Sequence, residues 1–485
     1  MREEIAEAAV EQARRAGATY AEARTEDSFT ETISARDGAL ASMERTEDNG
    51  WGVRVLVGGG WGFASTTRSD SHAVRDLVAQ AVEIAHASAT ARKSPSLFYA
   101  SDFDPAPSSE VAEYASLVQR DPATVPLSEK VALVLDACNE ASKGAQVNTA
   151  TAHLYSRQQS KYFVSSNDLR LRQRLTSTGG GVTAHARAEG ASYRRSFDNY
   201  HQAGFEYVES LNLREVAQRV GAEAGALVVA PWVQDRRTTV VLGSQMLSLL
   251  CHESCGHPIE LDRVLGAETA FAGTSFLTTD KLGGFQYGSP QVNLTADATL
   301  AEGLGTFGWD DEGVTAQNLP IVREGNFVGY LSSRDTAPAI GRSSGGCARA
   351  DGWGRMPMVR MTNVSLEAGP GDTTLADLIA QVDDGYYLDT PSSWSLDDKR
   401  LNFNFSTELC YEIKNGKLGE LRKGASFSEL TPTFWGNCQA VAGLGEWQLW
   451  GFLGCAKGEP LQSAAVSHGA SPALFTNLNV VKGGK

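Results

Sequence analysis

Two histidines five positions apart place the strongest constraint on this chain. Residues 238–262 read TTVVLGSQMLSLLCHESCGHPIELD, in which a β-branched segment leads through Gly-Ser into an apolar helix. The helix carries His252, Glu253 and His257. In a regular α-helix, side chains five residues apart point about 140° away from each other, whereas those four apart differ by about 40°. Both imidazoles can therefore reach one ion only if the backbone departs from α geometry.

Such a departure is favoured by the residues that flank the second histidine. Gly256 is conformationally permissive and Pro258 has no N–H, so a π-type turn or a helix end is expected here. Two imidazoles beside a carboxylate suit a catalytic zinc, because the imidazoles bind the metal and the carboxylate accepts a proton from the activated water. Spacing alone leaves an alternative open, in which both histidines are buried structural residues.

A third protein ligand has to come from elsewhere in the chain. Cys455 lies in GFLGCAKGEP, where a glycine-flanked turn can present a thiolate. The same cysteine also fits a small buried hydrophobic residue. We expect Cys251 and Cys255 to be packing residues. The residues therefore leave the third ligand open between Cys455 and three further candidates, Glu260, Asp262 and His468.

Charge and cysteine usage narrow the class of protein. A net charge of -15 over 485 residues argues against nucleic acid as the main partner, because phosphate binding needs clustered Lys and Arg. The seven cysteines are odd in number and form no C-x-x-C pair, which indicates a reducing compartment. The first residues lack an apolar signal core, and the apolar runs are too short for a membrane span. We therefore expect a cytoplasmic protein that binds no membrane.

Helix and strand patterns predict an α+β fold in four parts. A smaller N-terminal α+β domain, 1–95, is followed by a connecting segment, 96–127. A central α+β region with antiparallel strands spans 128–230. Residues 231–485 form a β-rich C-terminal catalytic domain that carries the metal-binding helix.

Individual elements are predicted within the first three parts. The predicted helices cover 2–16, 69–91, 128–143 and 211–229, the last with Asn212 as its cap. Three glycines at 58–60 predict a tight hairpin. The predicted strands cover 20–26, 30–35, 51–57, 61–65, 149–157, 161–165, 169–177 and 181–192.

Five motifs occur in one order along nearly the whole chain. They are WGVRVLVGGGWGFAST (51–66), HESCGHPIELDRVLG (252–266), DDEGVTAQNLPIVREGNFVGYLSSR (310–334), GRMPMVRMTNV (354–364) and GFLGCAKG (451–458). Each motif is modestly specific alone. In this order and spacing they resemble the TldD/PmbA family of metallopeptidases.

The resemblance implies a complete zinc site. It makes His252 and His257 metal ligands, Cys455 the third protein ligand and Glu253 the general base. A thiolate ligand favours Zn²⁺ over iron or manganese. Because the metal motif is complete, the chain resembles the active TldD-type subunit and not PmbA (TldE), which lacks the motif. Leu261 departs from the glycine that many members have at that position, so the pocket shape stays open.

The resemblance also implies a substrate and a partner. The implied function is a zinc-dependent peptidase that hydrolyses unfolded or small peptides, with the peptide bound as an added β-strand. The implied assembly is a homodimer, or a heterodimer with a metal-free PmbA/TldE-type partner. Two alternatives remain: a tailoring enzyme of the same fold acting on a peptide-like metabolite, and a non-catalytic scaffold subunit.

Several other polar residues have two interpretations. The acidic cluster 310–312 is expected to be exposed loop carboxylates, with ligand orientation or binding of a substrate amine as the alternative. Glu260 and Asp262 either support the histidines from behind or pair with Arg263. Arg360 either meets a substrate carboxylate or is structural.

Overall fold

The computed structural model describes residues 2–91, 96, 98, 104, 105, 108, 110–188 and 190–483. The fold is α+β, as predicted. Most of the predicted connecting segment before residue 110 lies outside the described residues. The boundaries between the four predicted parts stay a prediction. Among the helices of the described residues, none combines the length and apolarity that a membrane span requires.

A seven-stranded sheet dominates the N-terminal half of the described chain, in the order β3–β2–β1–β5–β6–β4 with β7 also on β6. Its strands are β1 Tyr20–Arg36, β2 Ala39–Val57, β3 Gly60–Thr66, β4 Ala112–Ala115, β5 Val147–Ser165, β6 Arg170–Ala188 and β7 Ala191–His201. The accompanying helices are α1 Arg2–Arg15, α2 Ser71–Ala91, α3 Leu127–Ser142, α4 Phe205–Ser210 and α5 Leu213–Val229. Since β1 pairs with β5, the regions predicted as 1–95 and 128–230 share one sheet.

Several predicted strands are parts of longer ones. The expected breaks near 27–29, 158–160 and 178–180 are wrong, because β1, β5 and β6 run through them. Ser28, for example, pairs with Asp48 on one side and Gln159 on the other. Polar residues interrupt the hydrophobic pattern here, but the ladders on both sides still satisfy the backbone N–H and C=O groups. The predicted strand 181–192 is also wrong, since β6 ends at Ala188 and β7 begins at Ala191.

Two local predictions had opposite outcomes. The glycine hairpin is confirmed: Gly58 and Gly59 lie between β2 and β3 with φ of 58° and 82°, as a two-residue turn requires. Asn212 precedes α5, but its φ of 47° is left-handed and its side chain makes no capping hydrogen bond. The predicted capping role is wrong because a capping side chain normally needs an extended backbone at its own residue.

The C-terminal half is built around a second large sheet. Its path is β15–β8–β22–β18–β16–β17, and an additional pairing of β15 with β16 closes five of these strands into a ring. Short sheets join β11–β10–β9–β14, β12–β13 and β20–β21, and β19 pairs with β22. The strands are β8 Arg236–Leu242, β9 Leu294–Asp297, β10 Asn318–Arg323, β11 Asn326–Phe327, β12 Ala348–Arg349, β13 Met358–Val359, β14 Val364–Leu366, β15 Asp384–Leu396, β16 Asn402–Lys414, β17 Lys417–Arg422, β18 Ala425–Leu430, β19 Cys438–Val441, β20 Gln448–Lys457, β21 Gln462–Ala470 and β22 Ala473–Lys482. The helices are α6 Ser244–Leu250, α7 Leu261–Val264, α8 Leu375–Ala380 and α9 Thr431–Gly436.

Strand β8 leads directly into the helix that bears the histidines. It lies between β15 and β22, and Val240, Val241 and Leu242 are fully buried. A strand covered on both faces reads as a continuous β-branched run, which is what this sequence has. Helix α6 follows with Met246 and Leu250 also in the core. The start of the site is therefore fixed by hydrophobic packing on all sides.

The acidic cluster 310–312 is buried, contrary to the expected exposed loop. Glu312 accepts a hydrogen bond from Arg54 at 2.8 Å, and Asp311 accepts one from Lys161 at 3.0 Å. Asp310 accepts backbone N–H groups, including that of Val314 at 2.9 Å. Arg54 and Lys161 lie on β2 and β5, more than a hundred residues earlier in the chain. Local sequence could not place these partners, so the prediction of exposure was wrong.

Arg54 offers a test of this contact between the two halves. Its guanidinium is buried between Glu22, 3.3 Å away, and Glu312, 2.8 Å away. Arg54→Leu leaves two buried carboxylates without their cation, so we expect a loss of about 3–5 kcal/mol in stability. Thermal melting measures it. As a control, Arg68→Leu removes only an exposed pair with Asp70 and should change the melting temperature little. Equal shifts in both variants would contradict the role assigned to Arg54.

Candidate metal centre

The helix after β8 widens at the histidines. Helix α6 ends at Leu250, and Cys251–Gly256 forms a π-helical turn. The His257 N–H donates to the His252 carbonyl at 3.1 Å, which is an i→i+5 hydrogen bond. The wider turn brings the two imidazoles to the same side, with ring centroids 4.9 Å apart. The predicted departure from α geometry is confirmed.

Buried contacts hold this turn in place. The Ser254 carbonyl accepts a hydrogen bond from Tyr287 Oη at 2.9 Å, and its Oγ lies 3.0 Å from Trp435 Nε1, which donates to it. Gly256 packs so closely that an added Cβ would lie 2.2 Å from Met361 Sδ. Only glycine fits without displacing that side chain. The unusual turn is therefore stabilised by its surroundings.

A histidine behind His252 fixes how its ring is protonated. His252 Nδ1 lies 2.7 Å from His468 Nε2, and His468 Nδ1 lies 2.7 Å from the Val364 carbonyl. Because a carbonyl only accepts, His468 Nδ1 carries a proton and its Nε2 is free to accept one from His252. In the neutral form of His252, Nε2 then has an open lone pair. His468, one of the candidate third ligands, therefore lies behind a histidine and away from the converging donor atoms.

The second histidine is oriented in a similar way by a carboxylate. His257 Nδ1 donates to Glu260 Oε2 at 2.9 Å, so its Nε2 faces Cys455 Sγ at 3.8 Å. Glu260 is fully buried and contacts Arg263 at 3.7 Å as well. Glu260 thus supports His257 and also pairs with Arg263, so both interpretations apply. Asp262 contacts Lys457 Nζ at 2.6 Å and does not hydrogen-bond to either histidine among the described contacts.

Cys455 reaches the histidines from the distant ribbon β20–β21. The pairing shifts by one residue between Phe452 and Cys455, so the strand bulges next to the thiol. Arg360, which is buried, donates to the carbonyls of both Cys455 and Gln462 and so ties the two strands together. The structural interpretation of Arg360 matches these contacts.

The site residues shift one another's pKa values through their charges. Burial opposes a charged thiol, but His252 and His257 outweigh it and lower the pKa of Cys455 well below its ordinary value. Burial likewise opposes a charged His257, but Cys455 and Glu260 raise the pKa of that imidazole to about 9. The buried thiols of Cys251 and Cys255 behave oppositely, since burial raises their pKa values. Unlike Cys251 and Cys255, Cys455 therefore favours the thiolate form, which is the form that binds a metal.

Lys457 extends the site along β20. It lies two residues after Cys455, so both side chains emerge on the same face of the strand, and both are buried. Its Nζ lies 2.6 Å from Asp262 and 3.6 Å from Glu260. The strand that carries the thiol is thus anchored to the segment that follows His257. This ion cluster fixes the distance between the two ligand-bearing elements.

Glu253 faces the histidines with both carboxylate oxygens engaged. Trp394 Nε1 donates to Oε1 at 2.8 Å, and Arg400 Nη1 lies 3.4 Å from Oε2. Burial works against ionisation, but the histidines, Arg400 and Trp394 lower the pKa of Glu253 below its ordinary value. Glu253 is therefore held as a carboxylate whose orientation is set by β15 and the turn that follows it.

The donor atoms suit a metal ion. In the part of the chain that the structure describes, one atom each from His252, His257 and Cys455 converge within 4.8 Å of one another, and all three residues are buried. Two imidazole nitrogens, which bind a metal in the neutral form of the ring, and a thiolate form a set that fits zinc. The backing hydrogen bonds to both imidazoles are typical of metal-binding histidines.

Comparison with known families agrees with the motifs. Profiles of PmbA/TldA metallopeptidases match residues 21–85 as domain 1, 120–230 as the central domain and 235–482 as the C-terminal domain. The chain belongs to the PmbA/TldD metallopeptidase family. The predicted resemblance is confirmed.

Relatives of this PmbA/TldD family chain are named as metalloproteases. It is 28% identical to a metalloprotease of Methanothermobacter thermautotrophicus over 84% of this chain and 85% of the relative. Identity to a Synechocystis metalloprotease is 28% over 91% and 90% of the two chains. A Saccharolobus solfataricus protein named as a zinc metalloprotease TldD homolog is 25% identical over 37% of this chain and 38% of its own.

Solved structures share the fold of this PmbA/TldD chain. A Thermotoga maritima protein described as a candidate modulator of a DNA gyrase matches with a TM-score of 0.79 and 18% identity, over 99% of this chain and 100% of its own. TldE from Thermococcus kodakarensis matches with a TM-score of 0.74 and 15% identity, over 98% and 100% of the chains. At these identities the likeness describes the architecture alone.

Three residues at the site had no part in the sequence predictions. Trp394 and Arg400 have no local motif that links them to Glu253, 141 and 147 residues earlier. Lys457 could have been found, because alternation along a strand puts it on the same face as Cys455. Three other histidines, His153, His185 and His201, lie on strands of the first sheet.

Glu260 gives a pH-dependent test. Although burial disfavours its charge, Lys457, His257 and Arg263 lower the pKa of Glu260 far below its ordinary value. Its contribution to stability is thus present above the ordinary Glu pKa of about 4.3 and is lost as pH falls through the folded-state value. We expect Glu260→Gln to lower the melting temperature at neutral pH, and the gap to wild type to shrink in acid.

Thermal melting of both proteins across a pH series measures this gap. Glu11→Gln is the control, because Glu11 forms an exposed pair with Arg15 on helix α1 and should matter little at any pH. A gap that widens with acid would show that Glu260 is not an ionised partner of the cluster.

Proposed function

We propose that this chain is a zinc-dependent peptidase. The observation that carries the proposal is the π-helical turn, which brings His252 and His257 together facing Cys455 with Glu253 beside them. The names of its relatives as metalloproteases support the same class of reaction. An inactive scaffold would have no need to retain this complete set in one buried place.

His252 Nε2, His257 Nε2 and Cys455 Sγ are the atoms that would hold the ion. A zinc ion bound there supplies Lewis acidity, which polarises the scissile carbonyl and lowers the pKa of a water molecule. The thiolate supports zinc over iron and manganese, because softer ligands favour the softer ion. The name of the Saccharolobus relative points to the same metal.

Glu253 is the proposed general base. Its carboxylate accepts a proton from the attacking water, whose oxygen forms a bond to the carbonyl carbon. Glu253 then returns this proton to the amide nitrogen as the C–N bond breaks, which releases an amine and a carboxylic acid. The ionised state that His252, His257 and Arg400 favour is the one that the first step requires.

Trp394 and Arg400 orient that base. The indole N–H holds one oxygen of Glu253 and the guanidinium lies near the other. A fixed carboxylate loses little orientational freedom when the water is deprotonated. Trp394 is about half-exposed, 48%, so part of its side chain is open to solvent beside the base.

Unfolded or small peptides are the proposed substrates. The ribbon β20–β21 that carries Cys455 pairs with no third strand among the described residues, so a peptide could add to its edge through main-chain hydrogen bonds. Such binding gives little selectivity for the sequence of the peptide.

We propose a second subunit as partner, either a like chain or a metal-free PmbA/TldE-type chain, in line with the fold shared with TldE. None of the seven cysteines forms a disulfide bond, which supports a cytoplasmic location.

Metal content tests the ligand set. We expect about one zinc per chain in the wild type, and its loss in both His257→Ala and Cys455→Ala, because structural and catalytic zinc sites need at least three protein ligands. Elemental analysis of proteins purified without chelators measures this. Cys438→Ala is the control, since that buried thiol lies on β19 away from the histidines and should leave the zinc in place. Zinc retained in Cys455→Ala would show that the third ligand is a different residue.

Activity tests the role of Glu253. Glu253→Gln should keep its zinc but lose hydrolysis by about 10²–10⁴-fold, because the amide cannot accept the water's proton. Turnover is measured on a denatured protein and on short peptides, with products identified by mass. Hydrolysis of only small modified peptides would favour the tailoring enzyme. Full activity in Glu253→Gln would exclude Glu253 as the base.

A further inference from the structure

His468 is a buried histidine that the proposed reaction does not use directly. It lies on β21 and is fully buried. Its ring makes two short contacts, Nδ1 to the Val364 carbonyl and Nε2 to His252 Nδ1, both at 2.7 Å. The next residue is also tied down, because the Gly469 N–H donates to Ser365 Oγ at 2.8 Å. The ring is therefore held rigidly between β14 and the proposed metal centre.

The direction of these hydrogen bonds follows from the carbonyl. A carbonyl oxygen has no proton to give, so the donor at that end is His468 Nδ1. A neutral imidazole with a proton on Nδ1 is an acceptor at Nε2. His252 Nδ1 must then be the donor of the second bond. In the neutral form of His252, that assignment leaves Nε2 with its lone pair directed away from His468.

We propose that His468 is a positioning residue, which fixes the Nδ1–H form and the ring plane of His252 so that Nε2 is presented for metal binding. This inference rests on the proposed zinc site. The Glu260 carboxylate fixes the Nδ1–H form and orientation of His257, whereas a neutral imidazole does so for His252. Backing one ligand with a neutral group adds no further negative charge behind the metal, so the ion keeps more of its Lewis acidity.

Packing supports a role in orientation. The rings of His252 and His468 meet nearly edge to face, at 84° with centroids 4.8 Å apart. The Phe452 ring packs against both, at 5.9 Å from His252 and 5.4 Å from His468. Rotating His252 by half a turn about its χ2 would exchange Nδ1 for a carbon and lose the hydrogen bond. His468 thus selects one of the two ring orientations.

Zinc affinity of His468 variants tests the proposal. His468→Gln can keep both bonds, with its amide oxygen accepting from His252 and its NH₂ donating to Val364. His468→Asn keeps a polar amide but is too short to reach His252, and His468→Leu removes both bonds. We expect the Leu and Asn variants to bind Zn²⁺ about 10- to 100-fold more weakly in chelator competition, and the Gln variant to stay near wild type.

The controls separate positioning from folding and from the metal site itself. His153→Leu replaces a part-buried histidine of the first sheet and should leave zinc affinity unchanged. Melting of each metal-free variant reports whether it is folded, and the Asn variant serves if Leu does not fold. Wild-type affinity in folded Leu or Asn variants would overturn the proposal, as would a Gln variant as weak as Leu. A wild type that binds no zinc would instead overturn the proposed function.

Discussion

The hydrogen bond from the His257 N–H to the His252 carbonyl is the contact on which the site depends. It spans five residues, where an α-helix would span four, and it marks the π-helical turn. Without it, the two imidazoles would point in different directions. The turn is costly by itself, since π-helical segments are rare and short. Its persistence here is explained by buried contacts to Tyr287, Trp435 and Met361 and by the strand that feeds it.

Around this turn, each of the two buried imidazoles is given a hydrogen-bond partner with a defined direction. One histidine donates to a carboxylate and the other to a neutral imidazole, which in turn donates to a backbone carbonyl. Unpaired polar groups would be expensive in such a place, and partly satisfied networks are unstable. The Nε2 atom of His257, which faces the Cys455 sulfur, is not engaged by the backing hydrogen bond. Hydrogen bonding therefore decides which atoms are available for chemistry.

The sequence was informative where local pattern and chemistry agree. The α+β class, the glycine hairpin and the break from α geometry at His252 and His257 were all predicted, because periodicity, glycine and proline act over a few residues. Prediction was poor where contacts between residues far apart in the sequence determine the structure. Polar residues such as Ser28 look like strand ends but lie inside long ladders. The Asp311 and Glu312 carboxylates look exposed but meet cations of the first sheet. Trp394 and Arg400 could not be assigned to Glu253, since only the folded β15–β16 turn brings them there.

The contact between His257 and Cys455 joins positions 198 residues apart. During synthesis both histidines leave the ribosome long before the cysteine does, so a growing chain holds two of the three donor atoms for most of the production of its C-terminal half. Two imidazoles alone are a weak and unselective chelate. Complete binding must wait until β20 has been made and has docked against the π-helical turn. The donor set is thus a late product of folding, and a truncated or misfolded chain cannot assemble it.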